Sequence, residues 1–420
     1  MDRFLITGQT PLTGSLSISR AKNAVLPLLA ASLLSEEPCT IKAVPLLEDV
    51  KTMLALLHSL GVEVKQKNRS VTVCARGNLK PVAEYDIVRK MRAGYYVLGP
   101  LLARLGKCRV SLPGGCAIGA RPVDLHLKGI QALGARVQIE HGYICANASR
   151  LQGNTVVLEG HRGPSVGATA NTMMAAVLAE GTTVIQAAAC EPEIVDLARF
   201  LNRMGAKVRG AGTPTITICG VRMLAGASHT PIPDRIEAGT FAVAAAITRG
   251  IVEVTHCNTS HLTAVIDRLR AAGATVETSR SSLLVSMRNR PKPTDVSTAP
   301  YPGFPTDLQA QFCSLLSVAE GTSTVTENIF ESRFLHCVEL NRMGASIDVA
   351  GNMAVIRGVK RLSGAQVMAS DLRASAALVL AGLAAEGKTE VLRIYHLDRG
   401  YERLEQKLAA LGARIERIKA

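Results

Sequence analysis

The chain has 420 residues, 47% of them hydrophobic and 20% charged, a balance that excludes wholesale disorder and suggests two to three domains. Its longest apolar runs, such as Ala376–Ala385, reach about half of the roughly 20 residues that a membrane-spanning helix needs. The 48 Lys and Arg outnumber the 34 Asp and Glu and attract anions, nucleic acid or a phosphorylated small molecule, but 3% aromatics and no Trp argue against a base-stacking nucleic-acid surface.

Met1–Thr10 shows no basic stretch followed by an apolar core, so the reading is a cytoplasmic protein. From there one pattern recurs along the chain. A leucine or other apolar residue, a glycine and an alternating strand return at Gly61, Gly134, Gly205, Gly273, Gly344 and Gly412, at intervals of 68–73 residues. Each unit opens with an Ala-rich apolar stretch: Ala24–Leu34, Tyr95–Leu105, Ala168–Ala179, Thr240–Thr248, Leu308–Ala319 and Ala374–Ala385. A turn follows, with Gly106, Gly181, Gly250, Gly321 and Gly387 in five of the six units. A short strand, an amphipathic helix ending at the repeat glycine, and two strands complete a β-α-β-α-β-β module.

The Ala-rich helices are apolar all round and must be buried all round, whereas the strands alternate and show one face to water. The fold class is therefore α/β, with two inside-out, barrel-like domains. Each holds three β-α-β-α-β-β repeats around buried helices, in pseudo-threefold arrangement. The sixth unit lacks its last strand. Phe4-Leu5-Ile6-Thr7-Gly8 resembles Ala354-Val355-Ile356-Arg357-Gly358, and Leu12-x-Gly14 matches Leu362-x-Gly364, so the N-terminus is expected to complete that unit. The expected domains are residues 22–229, and residues 1–21 with 230–420. They join through Arg20–Lys22 and Gly226–Pro233, with the active site in a cleft between them.

The loops entering the Ala-rich helices carry polar residues: Lys22-Asn23, Arg92, Ser165-Val166-Gly167, Asp234-Arg235, Asp307 and Asp371-Leu372-Arg373. Ser165, Asp234 and Asp307 read equally well as helix caps. A cation is the wrong sign for capping, so Lys22, Arg92 and Arg373 read as anion-binding groups. The ten cysteines form no CxxC pair and no His-partnered pattern, so no metal site and no disulfide framework is expected, and most read as reduced, buried and inert. Cys116 stands apart. It lies in Leu112-Pro113-Gly114-Gly115-Cys116-Ala117-Ile118-Gly119-Ala120-Arg121-Pro122-Val123-Asp124-Leu125-His126, a Gly- and Pro-rich loop in which Arg121 would lower the thiol pKa. The loop is neither a P-loop nor a dinucleotide fingerprint.

These residues carry a resemblance over essentially the whole chain. Ala21–Ala24, the 112–126 loop, SVGAT (165–169), EPEIVD (191–196), FPTDLQAQF (304–312), LSGAQVMASDLRAS (362–375) and RIYHLDRGYER (393–403) resemble the bacterial UDP-N-acetylglucosamine 1-carboxyvinyltransferases, an enolpyruvyl transferase family. The resemblance implies transfer of the enolpyruvyl group of phosphoenolpyruvate to the 3′-hydroxyl of UDP-N-acetylglucosamine, with release of phosphate and with no metal or organic cofactor. It implies peptidoglycan synthesis as the setting, and neither nucleic acid nor membrane as partner.

By that resemblance Cys116 is the general acid at the phosphoenolpyruvate methylene carbon and the thiol alkylated by fosfomycin, and Asp307 is the general-base candidate. Lys22 and Arg399 complete the catalytic set. The phosphoenolpyruvate set is Lys22, Asn23, Arg92, Arg121, Arg333, Arg373 and Arg399. The nucleotide-sugar set is Asn23, Arg92, Arg121, Pro122, Val123, Asp124, Leu125, Ser165, Val166, Gly167, Asp307 and Ile329, and Asp371 is a further cleft residue. The sequence departs from the pattern at His161-Arg162-Gly163-Pro164, where relatives often carry a lysine, and at Tyr95-Tyr96. The 5-enolpyruvylshikimate-3-phosphate synthases share the repeat architecture but lack the Gly-Gly-Cys-Ala-Ile-Gly-Ala-Arg-Pro loop.

Overall fold

The computed structural model describes residues 2–112 and 123–419. Within them the chain divides into two compact units. One takes residues up to 19 together with 233 onward; the other takes residues 20–112 and 123–232. Each has its own apolar core. One core gathers buried residues from Val25 to Leu224, the other Phe4 to Ile18 with Ile236 to Ile415.

Six four-stranded sheets share one strand order, in which an edge strand runs parallel to its neighbour and two antiparallel strands follow. The sheet built from Gln366–Met368, Lys388–Leu392, Arg3–Thr7 and Arg414–Ile418 shows where the N-terminus goes. Arg3–Thr7 lies between the other two long strands, with Phe4 opposite Val391 and Ile6 opposite Ile415, the place that its likeness to 354–358 gives it. Burial alternates along such strands, so each sheet keeps one face wet.

The helices Lys22–Ala31, Leu98–Leu105, Val166–Ala176, Arg235–Ile247, Gln309–Leu316 and Leu372–Ala384 form the inner layer of their units. In one unit the last three pack on one another, which alanine permits because it lets helix backbones approach. The outer helices end in one recurrent motif. Gly61, Gly134, Gly205, Gly273, Gly344 and Gly412 all take left-handed φ values of 85–100°. The amide after each glycine bonds back across the last turn, as Val62 does to the Leu57 carbonyl and Ala413 to the Leu408 carbonyl. The six-fold glycine spacing is thus a series of helix terminators.

Two edge strands change places. Thr13–Ser17 precedes the first inner helix in sequence but pairs with Ile251–Thr255, in the fourth repeat. Ser228–His229 precedes the fourth inner helix but pairs with Cys39–Ile41, in the first.

Candidate active site

Asp307 sits in the Thr306–Leu308 turn at the entry to an inner helix, where the sequence offered it as a cap. The N-cap positions there are Pro305 for the turn and Leu308 for the helix, not Asp307. Its carboxylate instead bridges two arginines: Oδ1 accepts from Arg333 Nη2 at 2.7 Å and Oδ2 from Arg373 Nη2 at 2.8 Å. The two arginine side chains are 4% and 6% exposed and Asp307 is 26% exposed. Partial burial alone would raise the carboxyl, but Arg373 and then Arg333 outweigh it and hold Asp307 well below the usual carboxylate range. The resting group is therefore an ionised, committed carboxylate.

Two inner helices, through Thr240 and Gln311, and Tyr401 after the Ile394–Arg399 segment supply the floor under this node. Tyr401 is buried beneath Arg373, whose guanidinium lies 5.5 Å from the ring centroid. The Tyr401 hydroxyl shares a 2.8 Å hydrogen bond with Thr240 and accepts one from Gln311 Nε2 at 3.2 Å. Gln311 also donates to the Asp307 carbonyl at 3.1 Å. Behind Arg333, Thr306 accepts from Arg333 Nη1 at 2.7 Å and donates to Glu327 at 2.7 Å. Glu327, almost wholly buried, also accepts from Thr298 and from the amides of Ile329 and Phe330. One carboxylate thus fixes both the Ile329 backbone and the hydroxyl that orients Arg333.

Asp371 caps the Leu372–Ala384 helix. Its Oδ1 accepts from the amides of Arg373 and Ala374, and Ser370 donates to its Oδ2. The cap contributes about 1 kcal/mol and fixes where Arg373 leaves the helix. Arg399 ends the Ile394–Arg399 3-10 segment and is partly buried.

In the other unit Lys22 begins its inner helix, and its Nζ lies 3.1 Å from Asp49 Oδ2, with both side chains largely buried. Asn23 follows in the first turn. Arg92 opens the Arg92–Val97 3-10 segment, and its side chain lies outside the described set. Ser165 is the N-cap of Val166–Ala176 and accepts from the Ala168 amide at 3.3 Å, so the capping reading holds there. Asp234 likewise caps Arg235–Ile247 through the Ile236 and Glu237 amides. Val166 and Gly167 form the first turn after Ser165, where a Cβ on Gly167 would fall 2.9 Å from the His126 ring.

His126 is paired with Asn171 through Nδ1 at 2.9 Å, and burial pushes it down to about 4, so it stays neutral near pH 7. Val123 precedes the Asp124–Ala132 helix, on which Asp124 is exposed and Leu125 half-buried. Cys116, Arg121 and Pro122 lie outside the described residues.

Of the nine described cysteines, Cys39, Cys108, Cys257, Cys313 and Cys337 are buried, in keeping with the expectation that most would be. Cys219 is exposed and Cys74, Cys145 and Cys190 are half-buried, because the sheets that carry or border them have a wet face. Burial pushes the thiols of Cys39, Cys190, Cys257 and Cys313 up, and that of Cys108 up to about 12, which keeps them unreactive. Cys337 goes the other way: a hydrogen bond from Cys313, then His336, lowers it despite burial. Gln311 and Tyr401 lie within the 304–312 and 393–403 motifs but, like Glu327, were given no role, since nothing in a sequence marks a polar residue that will be buried beneath a charged one.

The family described as EPSP synthase (3-phosphoshikimate 1-carboxyvinyltransferase) matches residues 6–408. Among curated proteins, the chain is 56% identical over 420 residues to the UDP-N-acetylglucosamine 1-carboxyvinyltransferase 2 of Carboxydothermus hydrogenoformans, covering 100% of both chains. It is 55% identical over 421 residues to the UDP-N-acetylglucosamine 1-carboxyvinyltransferase of Klebsiella pneumoniae, again covering 100% of each. Among solved structures, the enolpyruvyl transferase NikO from Streptomyces tendae aligns at a TM-score of 0.90 with 24% identity, over 100% of this chain and 99% of that one. An EPSP synthase from Acinetobacter baumannii aligns at 0.74 with 19% identity, over 100% of both chains. At those identities the two structures speak for the fold.

Proposed function

The chain belongs to the EPSP synthase family of carboxyvinyltransferases, and from that membership we propose that it transfers the enolpyruvyl group of phosphoenolpyruvate to the 3′-hydroxyl of UDP-N-acetylglucosamine and releases phosphate. The observation that carries this reading is identity of 55–56% over whole chains to carboxyvinyltransferases of UDP-N-acetylglucosamine. A shikimate 3-phosphate acceptor is the second reading, because the family itself is described by that activity. The setting is peptidoglycan synthesis in the bacterial cytoplasm. No helix among the described residues is long and apolar enough to cross a membrane.

The chemistry asks for cations, an acid and a base. Phosphoenolpyruvate carries a phosphate and a carboxylate, and Lys22, Arg92, Arg121, Arg333, Arg373 and Arg399 are the groups assigned to them. Cys116 as general acid gives its proton to the methylene carbon while the sugar 3′-oxygen bonds to the adjacent carbon. Asp307 takes the hydroxyl proton. Loss of a proton from the new methyl group then expels phosphate and restores the double bond on the sugar ether. Asn23, Val123–Leu125, Ser165–Gly167 and Ile329 are assigned to the nucleotide sugar.

Asp307 is a poor base while two guanidiniums hold it. An anionic substrate competes for those guanidiniums, and each contact it takes away raises the carboxyl toward the range a base needs. Binding of phosphoenolpyruvate thereby prepares the acceptor side.

Phosphate release measured with each substrate omitted in turn tests the reading. Release should require both phosphoenolpyruvate and UDP-N-acetylglucosamine and should persist in EDTA. Equal turnover with shikimate 3-phosphate would transfer the assignment to the second reading. Cys116→Asp should keep measurable turnover and lose inactivation by fosfomycin, while Cys116→Ser should lose most turnover, a hydroxyl being a far weaker acid than a thiol. A fosfomycin adduct found by mass spectrometry on another peptide, with Cys116 unmodified and activity lost, would refute the role given to Cys116.

A further inference from the structure

Cys313 lies on the Gln309–Leu316 inner helix, and His336 and Cys337 lie on the Leu335–Arg342 helix that packs against it. All three are buried, at 0%, 2% and 1% exposure. Their sulfur and ring-nitrogen atoms lie within 4.8 Å of one another, and Cys337 Sγ is 3.7 Å from His336 Nε2. A tetrahedral zinc ion, with bonds of about 2.3 Å to sulfur and about 2.0 Å to nitrogen, sets a sulfur-to-nitrogen edge of about 3.5 Å. The His336–Cys337 edge, within one helix, is close to that, and Cys313 on the facing helix lies within 4.8 Å of both ligand atoms.

A fourth group borders the cluster. The Gln309 side chain is wholly buried, its Nε2 is 3.5 Å from Cys313 Sγ, and its Oε1 has no hydrogen-bond partner among the described residues. A buried amide oxygen left without a partner costs stability, and turning the carboxamide over would bring Oε1 to the place of Nε2, beside Cys313, where an ion would give it one.

We propose that Cys313, His336 and Cys337 form a binding site for one thiophilic divalent cation, Zn²⁺, with the Gln309 carboxamide or a water molecule as fourth ligand. Two thiolates and a neutral imidazole suit such an ion and disfavour Mg²⁺ or Ca²⁺, which take oxygen ligands. The charges balance: the ion replaces the two S–H protons, which leave to solvent, and the resulting centre is neutral, as a buried position requires. The site is separate from the transfer chemistry. It would pin together the helices that begin just after Asp307 and Arg333, and so hold those residues in register.

The test uses the full chain, stripped by a chelator and titrated with Co²⁺ as spectroscopic probe. One equivalent per chain should bind, give a thiolate-to-cobalt charge-transfer band with strong visible bands of four-coordinate cobalt, and be displaced by Zn²⁺. The Cys313→Ser/Cys337→Ser double variant keeps Cys116 and the seven remaining cysteines, and should lose the band. No uptake by the parent, or equal uptake by the double variant, overturns the proposal. Should the double variant fail to fold by circular dichroism, X-ray absorption of the Zn²⁺-loaded parent decides. Two sulfur neighbours near about 2.3 Å and a nitrogen near about 2.0 Å support the site, and a shell of nitrogen and oxygen alone overturns it.

Discussion

Two guanidiniums share the carboxylate of Asp307, and losing its charge would leave both buried beside each other. Asp307→Asn is expected to cost about 2–3 kcal/mol, less than a fully enclosed pair because Asp307 is a quarter exposed. Its pH dependence follows from the direction of the shift. The folded carboxyl titrates below its unfolded value of about 3.9, so its stabilisation is present above that value and is lost as pH falls through the folded one. The gap in Tm between parent and variant should therefore stay constant from about pH 8 to about pH 5 and narrow only in stronger acid. A gap that closes near neutral pH would show that another group governs it. Asp307 and its two arginines stand 26 and 66 residues apart, and no local pattern joins them. Asp307 and Arg373 were legible as polar residues of helix-entry loops and Arg333 through family resemblance, whereas the roles of Glu327 and Tyr401 were not, because tertiary packing sets them.

At the scale of elements the sequence was far more explicit. Apolar helices, alternating strands and terminating glycines are local features, and local features repeat visibly. The repeat also hides a second set of glycines with a different task. Gly220, Gly358 and Gly8 follow the last strands of their units, and their amides bond to the carbonyls of Gly181, Gly321 and Gly387. A Cβ there would fall 1.6, 2.0 and 2.1 Å from the carbonyl oxygens of Ala179, Ala319 and Ala385, at the ends of the inner helices. Backbone cannot yield as a flexible side chain does, so Gly220→Ala and Gly358→Ala should each cost about 1–3 kcal/mol. Gly412→Ala meets no atom within 4 Å and pays only for its φ of +95°, about 1–2 kcal/mol. Thermal unfolding of the three variants checks this; a Gly412→Ala loss larger than both others would contradict it. The exchange of Thr13–Ser17 and Ser228–His229 was not readable, because a short polar edge strand carries no mark of which sheet it will join.

For the whole molecule, two separate cores mean that damage to one need not spread to the other. Deleting residues 2–19 removes a central strand from one sheet and an edge strand from another, both in the same unit. Hydrogen exchange on the truncated chain should show protection lost across residues 233–419 and kept across 20–112 and 123–232. Uniform loss, or uniform retention, would show that the cores are coupled differently. The same topology sets an order of events during synthesis. The unit that ends at residue 232 has all its strands once that residue leaves the ribosome. Arg3–Thr7 must wait for Arg414–Ile418, roughly 400 residues later. At 5–20 residues per second that is about 20–80 s, during which an apolar N-terminal strand is without its lattermost neighbour. Nascent chains are therefore expected to fold residues 20–232 early and the surrounding unit late, with the Arg3–Thr7 strand the segment most in need of shielding meanwhile.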